Sequence, residues 1–280
     1  MSLSVNTIAK ADFDFICDLV YKRSAIVLES GKEYLVQSRL VSVASQNGCA
    51  SLAELVTRLR AQPSGKLTQA VIEAMTTNET SFFRDMYPFE ALKKTVIPEL
   101  LAKRGSDPRL TIWCAAASAG QEPYSIALLL RESFSQIPKN NIRIIATDIN
   151  TEVLAHAREG VYSQIEVNRG LPITMLLRYF EKSGVNWQIR EDIRQMVEFR
   201  ECNLIQPWPL IPPVDILFMR NVLIYFDQET KKAILAKVRK ALKPDGVFFL
   251  GGAETTMNLD ENFERVQLEK TACYRIRKTA

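Results

Sequence analysis

Two periodicities divide the chain. From Lys10 to about Met75 the apolar residues recur at intervals of three and four: Phe13, Ile16, Cys17, Leu19 and Val20, then Tyr34, Leu35, Leu40 and Val41, then Leu52, Leu55, Val56 and Leu59, then Val71, Ile72 and Met75. That spacing puts them on one face of successive helices and predicts a small helical bundle. Asn47-Gly48 and Pro63-Ser64-Gly65 punctuate it, and Ser51 stands as N-cap of the helix running from Leu52 to Arg60. A further helix is predicted from about Tyr87 to Lys103. Beyond it, short apolar runs alternate with amphipathic stretches, which signals strands joined by crossover helices. The predicted strands are LTIWCA, IRIIATD, VEFRECN, VDILFMRN and GVFFLGG, with a terminal pair FERVQLEK and ACYRIRK; between them lie YSIALLLRESF, NTEVLAHAREG and ETKKAILAKVRKAL. The fold class is therefore α/β, a doubly wound parallel sheet whose ligands sit beyond the carboxyl ends of the strands.

One stretch breaks this rhythm. Between Tyr162 and about Met196 a helical segment, PITMLLRYFEK, is followed by SGVNWQIREDIRQM, where Gly184 and Asn186 suggest a turn between short strands. It reads as a small subdomain inserted after the second crossover.

Composition narrows the chemistry. At 280 residues and 47% hydrophobic content the chain can bury a sizeable core, with room for one large domain and a smaller one. No apolar run reaches the roughly 18 residues of a membrane span. The opening MSLSVNTIAKADFDF lacks the basic-then-apolar order of a signal peptide, so a soluble intracellular protein is expected. Cys17, Cys49, Cys114, Cys202 and Cys273 are odd in number, far apart and set in apolar surroundings, which fits reduced thiols; with no CxxC, no metal is expected. The sole histidine, His156, leaves imidazole-based triads almost no material. The net charge of +4 comes from interleaved lysines, arginines and acids, which gives no argument for nucleic acid and suits an acidic protein partner equally well.

Candidate chemistry lies at strand ends. LTIWC runs into AAASAGQEPYS, a turn of small residues where backbone can approach a ligand; with Gly120 as its one glycine the GxGxxG dinucleotide pattern fails, and the same turn would serve simply to join strand to helix. Asp148 ends IIATD, where a carboxylate in nucleotide-binding folds accepts ribose hydroxyls, or where an Asp caps the following helix. Asn203 with Leu204, and Arg220 with Asn221, follow two further strands and open onto the same crevice, although a loop asparagine is also a common turn former.

The ordered set TTNETSFFRD, AAASAGQEPYS, ATDIN, ECNL, FMRNVLIYFD and LKPDGVFFLGGAE resembles the CheR-type methyltransferases of chemotaxis receptors, along nearly the whole chain. The resemblance implies transfer of methyl groups from S-adenosylmethionine to glutamate side chains of methyl-accepting chemotaxis proteins, with S-adenosylhomocysteine as product. It implies a Rossmann-like methyltransferase sheet, an all-α N-terminal domain at 1–75 for receptor recognition, a linker at 76–90 and a catalytic domain at 91–280 carrying a small β-subdomain at about 163–198. Carried over residue by residue, cofactor contacts fall on Asn78, Thr80, Arg84, Glu122, Asp148, Asn203, Leu204, Arg220 and Asn221, with Tyr225, Arg220 and Asn221 around the reacting groups. Arg84 suits the cofactor's carboxylate, Asn78 and Thr80 its polar groups, Glu122 its ammonium or a nearby polar group, and Phe82 and Phe83 would anchor the linker or simply fill the core. Tyr225 donates to the incoming carboxylate or packs beneath the sheet. The implied partners are cytoplasmic receptor helices, met by Lys22, Arg23, Lys32, Arg39, Arg58 and Arg60, with a CheB-type methylesterase as functional counterpart and location in the cytoplasm at receptor arrays, without nucleic acid, metal or membrane insertion. Some family members also bind a receptor's C-terminal pentapeptide on the subdomain; the loop KSGVNWQIRE is short and holds one glycine, a departure from that pattern. A same-fold methyltransferase with another substrate, or a non-catalytic S-adenosylmethionine sensor, would share many of these features, whereas a nicotinamide dehydrogenase fails at the glycine pattern.

Overall fold

The structure, a computed structural model, describes residues 8–105 and 109–277. The first seven residues of the opening segment, on which the signal-peptide expectation partly rests, lie outside the described residues. The chain divides into two compact units: the described residues up to Thr77 together with Tyr225–Thr230, and Asn78–Ile224 together with the described residues from Lys231 onward.

The first unit is built from α1 (Lys10–Ser24), α2 (Glu33–Gln46), α3 (Leu52–Ala61) and α4 (Lys66–Met75). Their shared core contains Phe13, Ile16, Val20, Val36, Leu40, Leu55, Leu59, Val71 and Met75. The Ser51 hydroxyl accepts from the Glu54 amide at 3.1 Å and the Glu54 carboxylate accepts from the Ala50 amide at 2.7 Å, so one amide of the helix start and the amide just ahead of the N-cap are satisfied locally. At the end of α4, Arg39 donates to the carbonyls of Ala74, Met75 and Thr76. The face of α2 differs from the expectation: Val36, Leu40, Val43 and Ala44 point inward, whereas Tyr34 is 73% exposed. The buried set keeps the four-three-one spacing of a single stripe, and Tyr34 falls off it. The segment 225–230 joins this unit through the Val27 amide, which donates to the Tyr225 carbonyl at 3.0 Å, and through the Tyr21 hydroxyl, which donates to Asp227 at 2.7 Å.

The second unit opens with α5 (Tyr87–Ala91) and α6 (Ile97–Arg104), joined by a π-helical turn at Leu92–Val96. The expected single helix is thus widened in its middle. Pro98, in the first turn of α6, has no amide to close an ordinary helical bond, and the wider turn before it accommodates the loss. Then follow β1 (Leu110–Ala115), α7 (Gln121–Ser133), β2 (Ile142–Asp148) and α8 (Thr151–Glu159). The inserted portion supplies β3 (Val161–Tyr162), α9 (Gln164–Asn168), α10 (Ile173–Tyr179), β4 (Phe180–Ser183), β5 (Asn186–Ile189) and α11 (Glu191–Arg194). The chain returns through β6 (Val197–Glu201), β7 (Val214–Phe218), α12 (Gln228–Ala241), β8 (Leu242–Phe249), β9 (Phe263–Leu268) and β10 (Thr271–Ile276).

Among the described residues the main sheet has the order β6-β2-β1-β7-β8-β10-β9. Its first five strands are parallel, and β10 turns antiparallel against β8 and β9. Leu110 pairs with Ile142 and Ala115 with Thr147, so β1 and β2 end level; Cys114 pairs with Phe218, which brings the end of β7 to the same rim. Strand order reverses between β1 and β7, and a doubly wound sheet opens its crevice there. The antiparallel order β3-β5-β4 makes a second, three-stranded sheet, with the turn at Gly184 and Val185.

Candidate functional site

At the rim of the sheet the chain after β1 takes an unusual path. Ala116 and Ser118 both have left-handed backbones, at φ 57° and 51°, and Gly120 at φ 90° precedes α7. A non-glycine residue in that region is strained and persists only where its surroundings hold it. Asp148 supplies the hold: Oδ2 accepts from the Ser118 amide at 2.8 Å and Oδ1 from the Asn150 amide at 2.9 Å, with the side chain buried. The helix-capping alternative belongs to Asn150, whose Oδ1 accepts from the amides of Glu152 and Val153. The Ser118 hydroxyl donates to the Asn78 carbonyl at 2.9 Å and so fastens the segment that leads into FFRD.

Within that segment Phe82 and Phe83 are both buried. Phe82 meets Tyr162 and Phe180 edge-on at 5.1 and 5.7 Å, Phe83 meets Phe89 at 5.2 Å, and the Phe83 amide donates to the Ser125 hydroxyl at 2.9 Å. The two rings thereby fix the backbone while Arg84, half-buried, donates to the Glu79 carbonyl at 3.0 Å. Asn78 and Thr80 are half-buried in the same segment.

Arg220, just past the end of β7, is the most enclosed charge here. Its side chain is 2% exposed, with Nη1 donating to Glu122 at 2.8 Å and Nη2 to Asp85 at 2.6 Å and to the Arg84 carbonyl at 3.2 Å. Glu122 lies in the first turn of α7, where burial pushes its carboxyl above the ordinary range; Arg220 pulls in the opposite direction without reversing the shift. Arg220 Nε and Gln121 Oε1 are among the buried polar atoms that find no partner among the described residues. A donor and an acceptor left orphaned at the rim of a doubly wound sheet are what a polar ligand would satisfy.

The remaining candidates have local tasks as well. Asn203 accepts from the Ile205 amide at 3.2 Å and makes the turn its residue type favours. Leu204 is buried, and its carbonyl accepts from Trp208 and Lys237. Asn221 is left-handed at φ 59° and its amide donates to Glu254 at 2.7 Å. Tyr225 groups with the first unit and is held there by its carbonyl. The geometry therefore draws Arg220, Glu122 and Arg84 together and anchors Asp148 to the turn after β1. Asp85 and Glu254 escaped sequence reasoning although both stood in the quoted motifs. No cluster of potential metal ligands occurs among the described residues, and no helix there is long and apolar enough to cross a membrane.

This fold, with a carboxylate closing β2, a small-residue turn after β1 and a charged cluster at the reversal of strand order, defines a Rossmann-like S-adenosylmethionine-dependent methyltransferase. Residues 78–272 match the CheR methyltransferase SAM binding domain and residues 11–76 the CheR methyltransferase all-alpha domain, so the chain belongs to the CheR methyltransferase family. It is 43% identical over 272 residues to chemotaxis protein methyltransferase 1 of Pseudomonas aeruginosa, covering 95% of this chain and 98% of that one. It is 42% identical over 268 residues to the chemotaxis protein methyltransferase Cher2 of Pseudomonas putida, covering 94% and 97%. Against the chemotaxis protein methyltransferase of Escherichia coli the identity is 35% over 261 residues, covering 91% and 88%.

Proposed function

We propose that the chain methylates glutamate side chains of methyl-accepting chemotaxis receptors, leaving glutamate methyl esters and S-adenosylhomocysteine, with the rim residues above holding the cofactor. The observation that carries this reading is the buried Arg220, clasped by Glu122 and Asp85, with an unsatisfied Nε at the reversal of strand order. S-adenosylmethionine has a carboxylate, an ammonium and ribose hydroxyls, a set that suits the guanidinium, carboxylate and amide groups gathered here. When bound, it supplies an electrophilic methyl on a sulfonium.

The chain's own residues then have separable tasks. Arg84 faces the cofactor's carboxylate, with Asn78 and Thr80 as hydrogen-bond partners. Asp148 holds ribose hydroxyls; each of its oxygens already accepts one main-chain amide, and a carboxylate oxygen can accept more than one. Glu122, bound to Arg220, sets the charge balance near the ammonium, and Asn203 and Leu204 border the adenine. Arg220, Asn221 and Tyr225 position the incoming glutamate, with the Tyr225 hydroxyl donating to its carboxylate. That glutamate, with an ordinary pKa near ~4.3, is already ionised at neutral pH, so no base is required. Alignment and exclusion of water carry the rate, and positioned reactants gain roughly 7–11 kcal/mol from proximity.

Residues 1–75 serve receptor recognition, 76–90 the linker and 91–280 catalysis, with the β-subdomain at about 163–198. Of the basic candidates, Lys22 pairs with Asp18, Lys32 with Glu29, Arg58 with Glu54 and Arg60 with Asp12, while Arg23 and Arg39 donate to main-chain carbonyls. A receptor helix would therefore exchange partners with these acids, which favours an acidic helix over a neutral one. The setting is the cytoplasm at receptor arrays, with a CheB-type methylesterase reversing the modification.

The test is incubation with methyl-labelled cofactor and receptor-containing membranes. Alkali-labile label on the receptor is the expected result; label in RNA or a small metabolite, or cofactor uptake without any turnover, would replace the reading. Arg84→Ala and Asp148→Asn should each weaken S-adenosylhomocysteine binding by about tenfold or more in calorimetry, the loss of one charged hydrogen bond.

A further inference from the structure

The backbone leaving β7 keeps its last bond to β8 at Met219, whose amide donates to the Phe249 carbonyl at 3.0 Å, and past it the chain must present Arg220 and Asn221 at a fixed angle. One carboxylate meets that need. Glu254 Oε2 accepts from the amides of Asn221 at 2.7 Å and Gly251 at 2.6 Å, and Oε1 accepts from the amides of Val222 at 2.9 Å and Leu223 at 2.7 Å. Three successive amides converging on one anion form a nest, a concavity that elsewhere captures phosphate and here is filled by the chain itself. The Glu254 amide donates back to the Gly251 carbonyl at 3.0 Å, closing a tight turn that sends the side chain toward β7. Gly251 permits the approach: a Cβ there would stand 2.6 Å from Asn221 Nδ2 and 2.7 Å from Glu254 Oε2.

We infer that Glu254 is a positioning residue for methyl transfer, a staple between the loops after β7 and β8 that holds Asn221 in its left-handed conformation and so aims Arg220 at Glu122 and Asp85. Glu254 need touch neither cofactor nor receptor. Its effect passes through the backbone of 221–223. The arrangement explains why a buried arginine can hold two carboxylates with such short contacts: its main chain is fixed from one side by the staple while its guanidinium is fixed from the other. This inference rests on the cofactor role proposed for Arg220 and Asn221.

The test uses the full chain with Glu254→Gln and Glu254→Ala. Glutamine keeps the size but turns an NH2 group toward amides that need an acceptor; alanine removes the acceptor altogether. Amide exchange at Asn221, Val222 and Leu223, read without cofactor, should be slow in the parent and faster in both variants. S-adenosylhomocysteine should bind about tenfold more weakly, and KM for the methyl donor should rise in step. If Glu254→Ala does not fold, Glu254→Gln carries the same readings. Exchange unchanged in the variants overturns the staple, and so does faster exchange with donor affinity and KM within about twofold of the parent, which would mean a purely structural brace. A parent that takes up no S-adenosylhomocysteine would sink the proposed function instead, and the exchange experiment would still decide the staple.

Discussion

At the scale of single residues, the pairing of Arg220 with Glu122 is the feature with the largest consequences. Glu122's carboxyl is raised by burial and pulled partly back by the guanidinium. A group whose folded pKa lies above its unfolded value contributes stability that is full below the unfolded value, near ~4.3, and lost as pH climbs through the folded one. Arg220→Met removes the counter-charge and pushes Glu122 further up. The variant should therefore lose about 3–5 kcal/mol at pH 7.5 by urea denaturation, the usual cost of breaking one side of a buried pair, and clearly less near pH 4.5 where Glu122 is protonated. An equal loss at both values would mean that Glu122 is not the group left uncompensated. At this scale the sequence was informative about residue types at strand ends, because a charged side chain after an apolar run announces itself. It was silent on partnership. Asp85 and Glu254 read as ordinary acids in loops, and only the chain's return through β7 and β8 brings one to Arg220 and the other to the amides of 221–223.

At the scale of elements, the central parallel strands β1 and β7 were legible because both of their faces are covered and they therefore read as nearly unbroken apolar runs, whereas β6 at the sheet's edge is largely half-buried or exposed and alternates with charges. β8 was legible only in its second half: Lys243, Pro244 and Asp245 look like a turn, yet the strand starts at Leu242, opposite Val214, with an irregular register before Ile216 pairs with Val247. Nor could two residues announce β3, which exists because Val161 and Tyr162 pair with Gln188 and Trp187. The junction of α9 and α10 carries a prediction of its own. Gly170 has φ 87°, and a Cβ there would lie 2.0 Å from the Phe82 carbonyl oxygen. Gly170→Ala must displace either this turn or the backbone that seats Phe82, so it should cost more than about 2 kcal/mol in chemical denaturation, through strain as well as lost packing. Because Arg84 follows Phe82 by two residues, S-adenosylhomocysteine affinity should fall with it; stability lost at undiminished affinity would show that the segment's seating and Arg84's task are independent.

At the scale of the whole molecule, the main sheet divides its labour between its two rims. The carboxyl rim carries left-handed residues, two orphaned polar atoms and the Glu122 carboxyl raised by burial, features that cost stability. The opposite rim is built around a satisfied carboxylate, although Arg104 Nε is buried there without a partner. Asp215, the second residue of β7 and fully buried, accepts from Arg104 at 2.5 Å, from Lys243 at 2.8 Å and from the Thr111 amide at 2.9 Å, so that β1, β7, β8 and α6 are tied by one satisfied carboxylate. Asp215→Ala leaves two cations without their buried partner and an amide without its acceptor, and should lower unfolding free energy by about 3–5 kcal/mol. Well below its melting temperature the folded variant should still bind S-adenosylhomocysteine with the parent's Kd, because nothing that Asp215 touches reaches the rim holding Asp148 and Arg220. Asp148→Asn should give the opposite pattern, affinity lost with a smaller change in stability. Should Asp215→Ala weaken binding in the folded protein as much as Asp148→Asn does, the two rims would have to be coupled along β7, since only Ile216, Leu217, Phe218 and Met219 separate Asp215 from Arg220.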